Sequence, residues 1–163
     1  QTQTQTTSNP VRIYIYGAFG GRFDQEMASI QALYKWRNVF NYNIVLYNDD
    51  NCAMLLKPHI TNEIRLPFYA SAKSSSSPSP SSSTSDRTAK AVVVGEGPTC
   101  GLIPIACTCT GVTTNGLKWN LDGETPLEFG GMVSTSNCIE EDVVTVQCLQ
   151  PLVFTAEITR RGS

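Results

Sequence analysis

Apolar positions change their spacing along the chain, and each spacing predicts a different element. Val11 to Tyr16 reads VRIYIY, a β-branched and aromatic run of strand length that stops at the glycine-punctuated segment Gly17-Ala-Phe-Gly20-Gly21. From Phe23 the spacing lengthens. Phe23, Met27, Ile30 and Tyr34 recur at i, i+4, i+7 and i+11 with Gln25, Glu26 and Gln31 between them, which predicts an amphipathic helix. Asn43 to Tyr47 and Ala53 to Leu56 are two further apolar runs of strand length. Strand, glycine turn, helix and strand make a βαβ unit of a parallel sheet, with a right-handed crossover expected.

The second half of the chain has no helical period. Lys90–Val94, Gly101–Ile105, Gly116–Leu121, Asp142–Val146 and Pro151–Ala156 are short runs separated by glycine, proline or asparagine, the pattern of a β-sandwich or barrel. Asn115-Gly116 is a hairpin turn signal. Two low-complexity stretches complete the division. Residues 1–10 alternate Gln and Thr, a lead-in expected to be disordered, and residues 71–88 hold ten serines with Pro78 and Pro80, an expected disordered insertion. The domains expected are a partial α/β unit at 11–70 and an all-β unit at 89–159. Each is too small to bury a comfortable core alone, so mutual packing or a second subunit is expected.

Charge narrows the function classes. Lys plus Arg is 12 against 14 for Asp plus Glu, a net charge of −2, so no basic field points to nucleic acid or an anionic membrane. No apolar stretch has the ~18 to 20 residues of a membrane helix. The six cysteines in 163 residues fall far below the ~8 to 10% of a disulfide scaffold. Cys107-Thr-Cys109 is tighter than zinc spacing, and His59 is the one histidine. Reduced, mostly buried thiols in a cytoplasmic protein are the reading taken, with disulfides of a secreted protein as the alternative.

Two clusters carry candidate chemistry. Gly20, Gly21, Arg22, Asp24 and Gln25 sit where a strand feeds a helix, a place where glycine backbone and helix dipole favour phosphate. Arg22 can fork onto phosphate oxygens, and Asp24 can hold a magnesium ion or orient a hydroxyl nucleophile. A tight turn with Asp24 as a helix-start carboxylate accounts for the same residues. Ser134, Thr135, Ser136 and Asn137 follow Gly130-Gly131 and can hydrogen-bond a small heterocycle, or simply form a β-edge turn. Trp119 can offer its face to a cationic ring or pack in the core. Asp49-Asp50 sits where loops of an open sheet gather around a ligand, with a solvated turn the reading taken, and His59 reads as surface.

Four segments in order carry a resemblance: GGRFDQEMAS at 20–29, CGLIPI at 100–105, VTTNGLKWNL at 112–121 and VSTSN at 133–137. Together they resemble eukaryotic thiamine pyrophosphokinase. The resemblance implies a parallel α/β nucleotide-binding domain followed by a β-sandwich thiamine-binding domain, in a homodimer with thiamine between subunits. It implies transfer of pyrophosphate from ATP to the hydroxyethyl oxygen of thiamine, with Mg2+, giving thiamine diphosphate and AMP. Asp24 would belong to the magnesium and phosphate site, with Arg22 and Gln25 beside it and Gly20 and Gly21 cradling phosphate. Ser134, Thr135, Ser136, Asn137 and Trp119 would lie on the thiamine side. The family carries a further α/β stretch before the strand equivalent to 11–16, so a fragment or a truncated relative is expected. The classes left to separate are the kinase, a non-catalytic relative that binds thiamine or dimerises only, and a secreted β-sandwich module.

Overall fold

A computed structural model describes residues 12–65 and 93–161, and the expected lead-in and serine-rich insertion lie outside them. The elements are β1 (Ile13–Tyr16), α1 (Phe23–Trp36), β2 (Ile44–Tyr47), β3 (Asn51–Leu56), β4 (Asn62–Arg65), β5 (Val93–Ile103), β6 (Thr113–Asn115), β7 (Ser134–Cys138), β8 (Val143–Gln147) and β9 (Leu152–Arg161). Six strands form one sheet in the order β1-β2-β3-β9-β5-β7, and β4-β8-β6 form a second.

β1 and β2 pair in parallel across α1, as the βαβ pattern predicts, whereas β3 turns back antiparallel on β2. β3 then pairs with β9 over six residues, Asn51 with Glu157 through Leu56 with Leu152. Hydrogen bonds therefore join the first half of the chain to its last strand, and β4 lies in the second sheet against β8.

Alternation along the strands sorts the core into two layers. Ile44, Leu46, Ala53, Leu55 and Val153 cluster with Leu33 of α1 on one face of the large sheet. Val45, Cys52, Leu102, Phe154 and Ala156 cluster on the other face with Ile64, Val144 and Val146 of the second sheet. The helical stripe is covered only toward its C-terminal end: Ile30 and Tyr34 pack half-buried against the first cluster beside Leu33, which is 2% exposed, while Phe23 at 73% and Met27 at 37% overhang a groove. No helix among the described residues is long and apolar enough to cross a membrane.

Three expected strands are corrected. Of the run at 90–94 the described residues, Val93 and Val94, join 101–103 of the next expected strand in one strand, β5, which continues past Pro98 because a register shift against β9 between Glu96 and Cys100 takes the proline out of the ladder. Gly116–Leu121 is a loop and not a strand. Gly116 starts it with φ +88°, and a Cβ there would come within 2.7 Å of the Val143 carbonyl oxygen. The chain then curls back, with the Thr114 and Leu121 main chains bonded at 3.0 Å.

Candidate functional site

The β1–α1 connection turns on Gly17 (φ +79°) and Gly20 (φ +92°), conformations that glycine adopts without the steric cost of a Cβ. Gly20 and Gly21 then aim their N–H groups at one acceptor, Glu26 Oε1, at 2.8 and 3.2 Å. The loop thus holds a carboxylate with the type of donor that would hold phosphate. Beside it, Arg22 Nε and Nη2 donate to Asp24 Oδ1 and Oδ2 at 3.0 and 2.6 Å. Both partners are mostly exposed, and such a pair is worth about 0 to 1 kcal/mol, so exchange of either for a ligand costs little. Gln25 is exposed, and its main-chain oxygen accepts from Ser29 at 3.1 Å.

The hydroxyl cluster lies on a strand, β7, and not in a turn. Leu102 faces Ser134 and Cys100 faces Asn137, so β7 carries one more residue than β5 between those pairs. The extra residue makes a β-bulge, and Ser136 takes φ +57°, unusual for a residue with a side chain. The bulge separates the four residues. Ser134 and Asn137 are buried at 7% and 4%, whereas Thr135 and Ser136 are exposed.

Asn137 has most of its capacity engaged. Its Oδ1 accepts from the N–H of Trp119 at 3.2 Å and of Cys138 at 2.8 Å, and its Nδ2 donates to the Trp119 carbonyl at 2.8 Å. Trp119 itself is 56% exposed, with Lys118 Nζ 4.7 Å from its ring centroid. Of the two sequence readings of this indole, the core one is excluded.

Glycine loop and hydroxyl strand share one face of the large sheet, the one that carries α1. A groove of about 590 Å³ runs from Gly20, Phe23 and Glu26 past Asn48 and Asp50 to Ile105 and Phe129. A hollow of about 210 Å³ continues it, bordered by Thr99, Thr135, Ser136 and Glu157. Asn51, Ile103 and Thr155 line both. Sequence reasoning missed Glu26, Asn51, Thr155 and Glu157, because only the long-range strand order β3-β9-β5-β7 brings the last three near β7. The Asp49-Asp50 turn is as read, closed by Asn48 Oδ1 on the N–H groups of Asp50 and Asn51, but Asp50 also borders the groove. His59 is exposed.

None of the six cysteines is in a disulfide; Cys107 is exposed and Cys52, Cys100, Cys109 and Cys148 are buried. Burial pushes the thiols of Cys100 and Cys109 up to about 12 and that of Cys148 to about 11, which keeps them protonated and unreactive. No group of three or more potential metal ligands occurs among the described residues.

Comparison with known proteins gives this geometry a context. Residues 87–153 match the family described as thiamin pyrophosphokinase, vitamin B1 binding domain. Thiamine pyrophosphokinase 1 of Oryza sativa subsp. japonica is 36% identical over 146 residues, 90% of this chain and 44% of its own. The chain is a relative of the thiamine pyrophosphokinases. Thiamine pyrophosphokinase 2 of Arabidopsis thaliana is 34% identical over 155 residues, 95% of this chain and 47% of its own. The chain thus spans about half the length of the curated relatives it matches. In structure it resembles thiamin pyrophosphokinase from Candida albicans, with a TM-score of 0.69 and 27% identity over 93% of this chain and 46% of that one. The yeast enzyme, at TM-score 0.67 and 24% identity over 90% of this chain and 39% of that one, shares the fold.

Proposed function

We propose that this chain carries the thiamine site and part of the phosphate site of a thiamine pyrophosphokinase, which transfers pyrophosphate from ATP to the hydroxyethyl oxygen of thiamine. The observation that carries the reading is the continuous groove. It joins an anion-accepting glycine loop to a hydroxyl-bearing strand across three shared residues. In this reading 11–70 is the nucleotide part and 89–159 the thiamine part of a cytoplasmic protein.

The thiamine oxygen attacks the β-phosphorus, the bond from that phosphorus to the bridging oxygen of the α-phosphate breaks, and AMP leaves. The hydroxyl proton passes to a carboxylate or to water. Such a transfer needs positioning and charge neutralisation more than covalent chemistry. Gly20 and Gly21 offer N–H donors, Arg22 trades its weak bond with Asp24 for phosphate oxygens, and Asp24 so released orients the hydroxyl. Gln25 adds a polar contact beside them. On the other side Thr135 and Ser136 supply hydroxyls and Trp119 an aromatic face for a cationic ring.

Magnesium enters as an implication of the resemblance. Asp24 is a carboxylate donor of the right kind, but its oxygens are engaged by Arg22, and the described residues form no cage around it. No step above runs through the ion. A second reading, a relative that binds thiamine or dimerises without catalysis, takes the Arg22–Asp24 pair as kept and not exchanged. A homodimer is supported by the apolar side chains left open along the groove, Phe23, Met27 and Phe129.

The test is AMP release by the full-length native protein with ATP, magnesium and thiamine. We expect turnover that falls about 100-fold in Asp24→Ala, the lower range for loss of a positioned acid or base. Release no greater than that of the variant overturns the kinase reading, and calorimetry showing thiamine bound without turnover selects the second.

A further inference from the structure

Trp119 stands at the tip of a loop that is tied down on both flanks by side chains. On the outer flank, Asn120 Oδ1 accepts from the Leu117 N–H at 3.2 Å and the Thr114 hydroxyl at 3.1 Å, and that hydroxyl accepts from the Leu121 N–H at 2.8 Å. On the inner flank, the Lys118 N–H donates to the Cys138 carbonyl at 2.8 Å. The Asn137 carboxamide then clasps the Trp119 main chain from both sides, N–H and carbonyl. Asn137 is 4% exposed while the indole it carries is 56% exposed. A large aromatic surface is therefore held out on backbone that has little freedom left to lose, which lowers the entropy cost of laying a flat ligand on it.

Resting on the functional reading above, we propose that Asn137 is a positioning residue: it fixes Trp119 as a rigid platform for the cationic ring of thiamine, and acts through that residue without touching the ligand. The carboxamide makes three hydrogen bonds to main-chain groups of Trp119 and Cys138, which leaves its oxygen with two donors and its nitrogen with one acceptor already in place. Ligand hydrogen bonds from β7 then fall to the exposed residues of the bulge, Thr135 and Ser136. The buried position suits this division, because a clasp shielded from water keeps its geometry while an exposed one is opened by solvent.

The experiment is a double-mutant cycle on the full-length native protein, with thiamine as the probe. Asn137→Ala, Trp119→Ala and the double variant are compared for thiamine affinity by calorimetry and for turnover. The motion of the indole is followed by time-resolved anisotropy in a Trp36→Phe background, which leaves Trp119 of the two tryptophans in these 163 residues, with any tryptophan outside them replaced by phenylalanine as well. Asn137→Ala is expected to weaken thiamine binding about tenfold, the scale of losing buried hydrogen bonds. kcat and the KM for ATP change little, the indole gains fast local motion, and no further loss appears when Trp119 is already alanine. An equal loss in the Trp119→Ala background overturns the proposal, since Asn137 then meets thiamine itself. An indole that stays rigid in Asn137→Ala overturns it as well. Should that variant fail to fold, Asn120→Ala loosens the same loop from its exposed flank and is expected to show the same signature in weaker form, with unchanged anisotropy and affinity counting against the proposal. If the parent protein binds no thiamine, the functional reading fails, and the anisotropy alone decides whether Asn137 holds Trp119.

Discussion

Two main-chain N–H groups, those of Gly20 and Gly21, converge on one carboxylate oxygen of Glu26, so the loop carries an anion of its own. That contact bridges the glycine turn to the first turn of α1, where the helix dipole also favours negative charge. Glu26→Ala is expected to cost about 1 kcal/mol, the size of a lost helix cap, measured by urea unfolding. Unchanged stability would mean that the loop is held by its backbone alone. Arg22 and Asp24 are legible in the sequence as a charged pair beside glycine, but their mutual bond is not, because a pair two residues apart forms only when the loop turns both side chains outward. Asn137 was legible as a polar group and not as a clasp, since the Trp119 main chain it holds lies eighteen residues away.

Elements with a strong apolar period were read well. β1, α1, β2 and β3 fall close to their expected places because burial of one face or stripe imposes the spacing. β7 reads STSNC and escapes that logic: it is an edge strand with a bulge, held by backbone bonds to β5, so its side chains need not alternate. The loop at 116–121 was misread for the opposite reason. Leu117 and Leu121 suggest a strand, but Leu117 instead bridges to Ile139 across the chain. Gly116 makes that turn possible. Gly116→Ala combines a strained φ of +88° with a clash at the Val143 carbonyl, and a loss of at least ~2 kcal/mol in thermal or chemical unfolding is expected. A loss below about 0.5 kcal/mol would show that the loop relaxes freely.

At the scale of the molecule, the groove exists because β3 and β9 pair across a hundred residues of sequence, a contact no local pattern announces. The change of period marks two halves in the sequence, while the sheets that join them, through β3–β9 and β4–β8, carry no local mark. A separate hollow of about 340 Å³ opens on the opposite face of the sheet, lined by Arg12, Glu63 and Arg65 over Val45 and Phe154. It offers arginines to an anion and is the natural competitor for the phosphate role. Residue-resolved amide shift mapping of the full-length protein, titrated first with thiamine and then with ATP, separates these sites most directly. The account predicts that thiamine moves Trp119, Thr135 and Ser136 and that ATP moves Gly20 to Gln25. Shifts centred on Arg12, Glu63 and Arg65, or none at either end of the groove, would contradict it.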